Sequence, residues 1–251
     1  VIATAMIGFV ALPVIAWASP TPLTAGNATL QFSATGLPSP GGAVDVISLP
    51  TSDLGSTSVT INPGANQVSV SMANGGQIVE GSANNLYAAP VTGGTAADPI
   101  LLTTPYFSTE KGQIFLGFSQ QQSYLGLLWG SVGAGDEIAF YNTVISSVTP
   151  VTTLTGSELI ADAGVNTADG SQGFNGSQYV LINLTGGLTF NDVALTQNVA
   201  NSFESGNFEY SSQTQVAPVP EPPALPILAA GLFGIGLIVG RVRKGNPLQS
   251  R

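Results

Sequence analysis

The amino-acid sequence predicts an all-β protein: a single jelly-roll-like β-sandwich, with a short signal helix at the N-terminus and a membrane-spanning helix at the C-terminus. Three observations carry this. Between Ser19 and Ala217 the apolar residues alternate with a period of two, as in strands with one face buried. Gly, Asn and Pro clusters interrupt the alternation at short intervals. No stretch of this body shows a convincing 3.6-residue apolar period.

At the N-terminus, VIATAMIGFVALPVI carries no charge and is followed by Ala16, Trp17, Ala18 and Ser19. An apolar run with small residues at Ala16 and Ala18 has the form of an export signal cut by signal peptidase before Ser19, so residues 1–18 are assigned as signal peptide. Pro13 argues against a buried core helix here.

In the body, residues 19–217, strands are expected around Leu30 and Phe32, Val44 and Val46, Val59 and Ile61, and Val68, Val70 and Met72. Ile114, Leu116 and Phe118 form a further face, as do Leu125, Leu127 and Trp129, then Ile138 and Phe140. Tyr179–Leu184, Leu188–Leu195 and Phe203–Tyr210 follow. Asn74-Gly75-Gly76, Gly133-Ala134-Gly135-Asp136 and Gly186-Gly187 are among the turn signals. Gln120-Gln121-Gln122-Ser123 reads as a polar hairpin tip. A helical turn near Ser157–Ile160 is the longest helix expected.

Charge narrows the function. All 14 acids lie between Asp45 and Glu221, whereas four of the five bases, Arg241, Arg243, Lys244 and Arg251, close the chain. Residues 19–221 therefore carry one base, Lys111, and a formal charge of −13. Such a body repels phosphate backbones, which excludes nucleic acid as a partner. With no histidine and no cysteine, triad catalysis, thiolate nucleophiles and nearly all transition-metal sites are excluded too.

Carboxylates are the remaining acid–base groups. Asp136 and Glu137 are adjacent, so in a strand they point to opposite faces. Glu80, Glu110, Glu204 and Glu209 could converge across a cleft as glycosidase carboxylates do, but solubilising charge on loops and strand ends is the simpler expectation. Trp129, sharing a face with Leu125 and Leu127, is expected in the core, not as a sugar-stacking platform. Tyr106, Tyr124 and Tyr179 could line a groove. Asp162, Asn166 and Asp169 lie in a Gly-containing stretch that could offer oxygens to calcium. Their spacing is not that of an EF-hand, and tight turns select the same residues. No cofactor, metal or catalytic residue is assigned.

The C-terminus has three parts. Residues 218–222 contain Val219, Pro220, Glu221 and Pro222, and the prolines hold this segment extended. Residues 223–240 are uncharged; from Pro222 to Gly240 a helix would reach about 28 Å at 1.5 Å per residue, enough to cross a bilayer. The basic tail 241–251 begins at once with Arg241, Arg243 and Lys244, stop-transfer bases that hold this end in the cytoplasm and the body outside.

Motif, apolar span and basic tail in this order resemble the PEP-CTERM sorting signal of exosortase-processed bacterial proteins. The resemblance implies export, transient anchoring in the inner membrane, and cleavage near the motif by an exosortase. The product would be released or attached at the cell surface of a Gram-negative-type cell, often one making extracellular polysaccharide. The body adds a second resemblance. TTPYFSTEKGQIFLGFSQQQSYLGLLWGSVGAGDEIAFYN (103–142), GSANNLYAAP (81–90), GSQGFNGSQYVLINL (170–184) and FNDVALTQNVANSFESGNFEYSS (190–212) look like a cyanobacterial-type exosortase-dependent surface protein family. GAGDE at 133–137 departs from it, standing where a shorter Asp-Ser-Tyr-Asn-like turn is expected. The family implies sorting and surface display, without an enzyme activity. The expectation is thus an exported, non-catalytic surface or extracellular-matrix protein, processed by signal peptidase and exosortase. The alternative is a lectin-like module that binds extracellular polysaccharide.

Overall fold

The computed structural model describes residues 23–33, 37, 43–62, 64–95, 98–101, 103–143, 149–163, 176–198 and 202–213. The expected signal peptide with Ala16 and Ala18, the sorting motif Val219–Pro222, the apolar span 223–240 and the bases Arg241, Arg243 and Lys244 lie outside these residues. No helix among the described residues is long and apolar enough to cross a membrane.

Strands dominate. In chain order they are β1 (Leu23–Ala25), β2 (Ala28–Ser33), β3 (Asp45–Val46), β4 (Ser58–Ile61), β5 (Val68–Ala73), β6 (Gln77–Val79), β7 (Val91–Thr95) and β8 (Asp98–Leu101). Then come β9 (Tyr106–Ser108), β10 (Gln113–Gln122), β11 (Tyr124–Gly130), β12 (Asp136–Tyr141), β13 (Thr152–Thr155), β14 (Gln178–Leu184), β15 (Phe190–Gln197) and β16 (Glu204–Ser211). The helical elements described are a 3-10 turn at Thr51–Asp53 and one α-helix, α1 (Gly156–Ala163).

Two antiparallel sheets hold most strands. The larger runs β1-β2-β14-β11-β16-β9-β6, with β3 also pairing β16; the smaller runs β13-β12-β15-β10-β5-β4. β7 and β8 form a separate two-stranded ribbon. This ribbon falls in the segment between Ala88 and Thr104, where the alternating pattern is weakest.

The period-two residues place the core. Val68, Val70 and Met72 of β5 and Ile114, Leu116 and Phe118 of β10 are buried in one apolar cluster. So are Leu125, Leu127 and Trp129 of β11, Ile138 and Phe140 of β12, and Phe208 and Tyr210 of β16. Because members come from both sheets, the apolar face of each covers that of the other in a sandwich-like arrangement. Within it Phe118 and Phe190 meet edge to face at 5.6 Å, and Phe140 meets Phe190 at 5.0 Å.

The larger sheet is buried on its other face as well. Val79, Ala89, Tyr106, Leu128 and Tyr179 form a second apolar cluster, joined by Leu37 and Tyr87. Every residue of β11 is therefore buried, not every second one. The segment 81–90 contributes to this cover: the Tyr106 hydroxyl donates to the Gly81 carbonyl, and Ala89 N–H donates to Ser82 Oγ at 2.9 Å.

Four expectations need correction. Gln120–Ser123 is not a hairpin tip: β10 belongs to the smaller sheet and β11 to the larger, so the chain crosses between sheets there. Gln122 and Ser123 are buried, and Ser123 is fastened by its N–H to the Ser211 carbonyl and by its carbonyl to Leu184 N–H, both at 2.9 Å. Helix α1 is longer than the turn expected at Ser157–Ile160. Its start is closed by reciprocal bonds, Glu158 N–H to Thr155 Oγ1 at 3.3 Å and Thr155 N–H to Glu158 Oε2 at 2.7 Å. Val46 is 51% exposed, since β3 is a two-residue strand at the margin of the larger sheet. Finally, the strands expected at Leu188–Leu195 and Phe203–Tyr210 run Phe190–Gln197 and Glu204–Ser211.

Candidate functional site

Two carboxylates are buried at one end of the strands, and neither behaves as a solubilising charge. Asp136 opens β12 in the smaller sheet and is 1% exposed; Glu204 opens β16 in the larger sheet and is 2% exposed. Glu137, the next residue, is half-buried on the opposite face, as strand alternation requires.

Asp136 is placed by the tight turn before β12, where its N–H donates to the Gly133 carbonyl at 3.0 Å. Its Oδ2 accepts from Gly133 N–H and from the Trp129 indole N–H, both at 2.9 Å. Its Oδ1 accepts from the Gln197 side-chain amide at the end of β15. One side chain thus ties β11 of the larger sheet to β12 and β15 of the smaller. Trp129 in turn stacks on Phe203 at 4.7 Å and 23°, next to Glu204 in the chain.

Glu204 reaches the covering segment: its Oε1 accepts from Ala88 N–H at 3.2 Å. Two residues on, Pro90 packs so closely on Gly130 that a Cβ there would lie 2.6 Å from the proline ring. Around Glu204 sit further buried hydroxyls. Ser108 and Ser202 share a hydrogen bond of 2.7 Å, and Phe203 N–H donates to Thr109 Oγ1 at 3.0 Å.

Burial decides the protonation of both acids. Loss of water pushes Asp136 up to about 7, against the hydrogen bonds from Gly133, Trp129 and Gln197 that favour its charged form. Glu204 is pushed up to about 8, first by burial and also by the nearby Asp136; the Ala88 amide and the hydroxyls of Ser202 and Ser131 act in the opposite direction. On the outer face of the larger sheet, burial and then Glu209 push the Tyr124 hydroxyl above its ordinary range. Burial also raises Glu209.

The other expected site residues fall apart from this centre or into the packing. Glu80 is exposed just after β6, and Glu110 accepts from the Gln77 amide in the β9–β10 turn. Glu209 lies within β16 and is half-buried. Trp129, Tyr106, Tyr124 and Phe140 are fully buried and Tyr179 is 7% exposed, so none of these tyrosines lines an open groove. Asp162 lies in α1, whereas Asn166 and Asp169 are outside the described residues. Among the described residues no group of three or more His, Cys, Asp or Glu side chains is placed to hold a metal.

The arrangement has a structural chemistry. Two acids of raised proton affinity, each nearly sealed from solvent, sit where the two sheets meet: Asp136 accepts from backbone and side chains, whereas Glu204 accepts from Ala88 N–H and its Oε2 has no hydrogen-bond partner among the described residues. Glu204 was the less legible of the pair. A polar residue at the start of a strand carries no sequence mark of burial, although the Trp129-to-Asp136 spacing across a Gly-rich turn does bring a donor and an acceptor together. No family model, curated protein or solved structure matches the chain.

Proposed function

We propose that this chain is an exported, exosortase-processed protein of the cell surface or extracellular matrix, without catalytic activity. The observation that carries the reading is the order of parts at the C-terminus: Val219-Pro220-Glu221-Pro222, an uncharged span to Gly240, then Arg241, Arg243 and Lys244. Signal peptidase removes residues 1–18. The span 223–240 holds the precursor in the inner membrane with the body outside, and exosortase cuts near Glu221. In this reading the two sheets form one jelly-roll-like sandwich that is the displayed unit.

Features of the body support display over chemistry. Asp136 and Glu204, the acids with strongly raised proton affinity, are 1% and 2% exposed and offer no surface to a substrate. Aromatic side chains among the described residues are buried or half-buried, so none of them presents an exposed ring for a sugar of the extracellular polysaccharide. A body of −12 with one lysine stays soluble beside other acidic surfaces.

Glu221→Gln tests the reading in cells. Membrane insertion needs only the apolar span and the bases, so the variant should fractionate with the inner membrane. Its cleavage should stop, because the only charge at the outer edge of the span is gone. A Glu221→Gln chain processed as fast as the parent would refute exosortase recognition.

A further inference from the structure

We propose that β4 is a self-association edge, pairing antiparallel with β4 of a second copy of this chain about a two-fold axis at Val59. In the sheet order β4 is terminal among the described strands, with β5 on one side and none of them on the other. The phase of its hydrogen bonds says which groups face out. Met72 N–H donates to the Thr57 carbonyl at 2.8 Å, and Thr57 is followed by the pairs Ser58↔Ser71, Val59↔Val70, Thr60↔Ser69 and Ile61↔Val68. By antiparallel alternation Thr57, Val59 and Ile61 bond to β5, so the backbone N–H and C=O of Ser58 and Thr60 point away from the sheet.

In the two larger sheets the other margins are covered or short. Gly55 N–H donates to the Ile78 carbonyl of β6 at 2.9 Å. Beside β13, Asn27 N–H reaches Thr152 Oγ1 at 3.3 Å, and its side-chain amide reaches the Val151 carbonyl at 3.0 Å. β1 has three residues. β4, in contrast, has none of the usual guards against edge pairing: no lysine, no proline and no charge between Ser58 and Ile61.

The occupant follows from charge and from symmetry. Leu54 to Val79 contains no charged residue, so β4 and β5 form a neutral flank on a body that elsewhere repels its own copies. Ser58-Val59-Thr60 is close to self-complementary when reversed. With Val59 opposite Val59, Ser58 of each copy meets Thr60 of the other as a hydrogen-bonded pair, giving four backbone bonds and two Ser–Thr side-chain pairs. Val46, one of the exposed large apolar residues among those described, lies near the end of β4, where Asn62 Nδ2 donates to its carbonyl at 2.9 Å. An isologous contact of this kind closes as a dimer. The proposal is independent of how the chain is sorted.

Sedimentation of the full chain in non-ionic detergent tests it, with a dissociation constant of roughly 10–500 µM expected for so small an interface. Ser58→Glu with Thr60→Glu places like charges across the two-fold axis without touching a bond to β5. Dissociation should become at least tenfold easier, with partial recovery in high salt and an unchanged thermal melt. Ser69→Glu with Ser71→Glu adds the same charge one strand inward and should have a much smaller effect. Val59→Cys, in a chain with no other cysteine, should oxidise to a disulfide-linked dimer. A monomer at every concentration, a dimer indifferent to the β4 charges, or equal weakening by the β5 charges would each overturn the proposal.

Discussion

At the scale of single residues, Asp136 is the fastening between the sheets, and its environment makes two predictions. Trp129 is fully buried, stacked on Phe203 and bonded to Asp136, so Trp129→Ala should cost about 3–5 kcal/mol through cavity formation and loss of the indole donor. Equilibrium denaturation measures this; a change below about 1 kcal/mol would place the ring outside the core. The second concerns pH. Asp136 and Glu204 bind protons more tightly in the folded chain, about 7 and 8, than in the unfolded chain, near 3.8 and 4.5. Their contribution to stability is complete below the unfolded values and is lost as pH rises through the folded ones. The melting temperature should therefore fall between about pH 5 and pH 9, and Asp136→Asn with Glu204→Gln should flatten that slope. A slope unchanged in the double variant would remove these two acids from the account.

At the scale of elements, the sequence carried the inner faces well and the outer cover poorly. Val68, Val70 and Met72 alternate buried and exposed along β5 because only one face of that strand is covered. Along β11 the same alternation hides the fact that Tyr124, Gly126 and Leu128 are buried too, since their cover comes partly from the distant segment 81–90. Tyr106 and Tyr179 looked uncommitted for the same reason. Gln120–Ser123 misled because a polar run between two strands looks alike whether it turns within a sheet or crosses to another. Helix α1 had a legible mark, Thr155 followed three residues later by Glu158, which is the spacing of a capping box. Thr155→Ala should destabilise the body by about 1 kcal/mol, read as a shift in the denaturation midpoint. No shift would mean that tertiary packing of Leu159 alone fixes the helix.

At the scale of the whole molecule, charge is segregated: acids fill the body and bases close the chain. That pattern, more than any side-chain cluster, supports the proposed export and anchoring. Deleting residues 222–251 removes the apolar span and the bases that follow it, so under the proposed sorting the body should pass into periplasm or medium with no membrane-bound precursor. Persistent membrane association of the truncated chain would point to another anchor. Intact mass of the mature protein, isolated from cells with and without the processing enzyme, decides whether the tail is cut. Exosortase processing yields a chain lacking residues 1–18 and ending near Glu221 when the enzyme is present, and one retaining Arg241–Arg251 in the membrane when it is absent. A mature chain from normal cells that still carries the basic tail would contradict it.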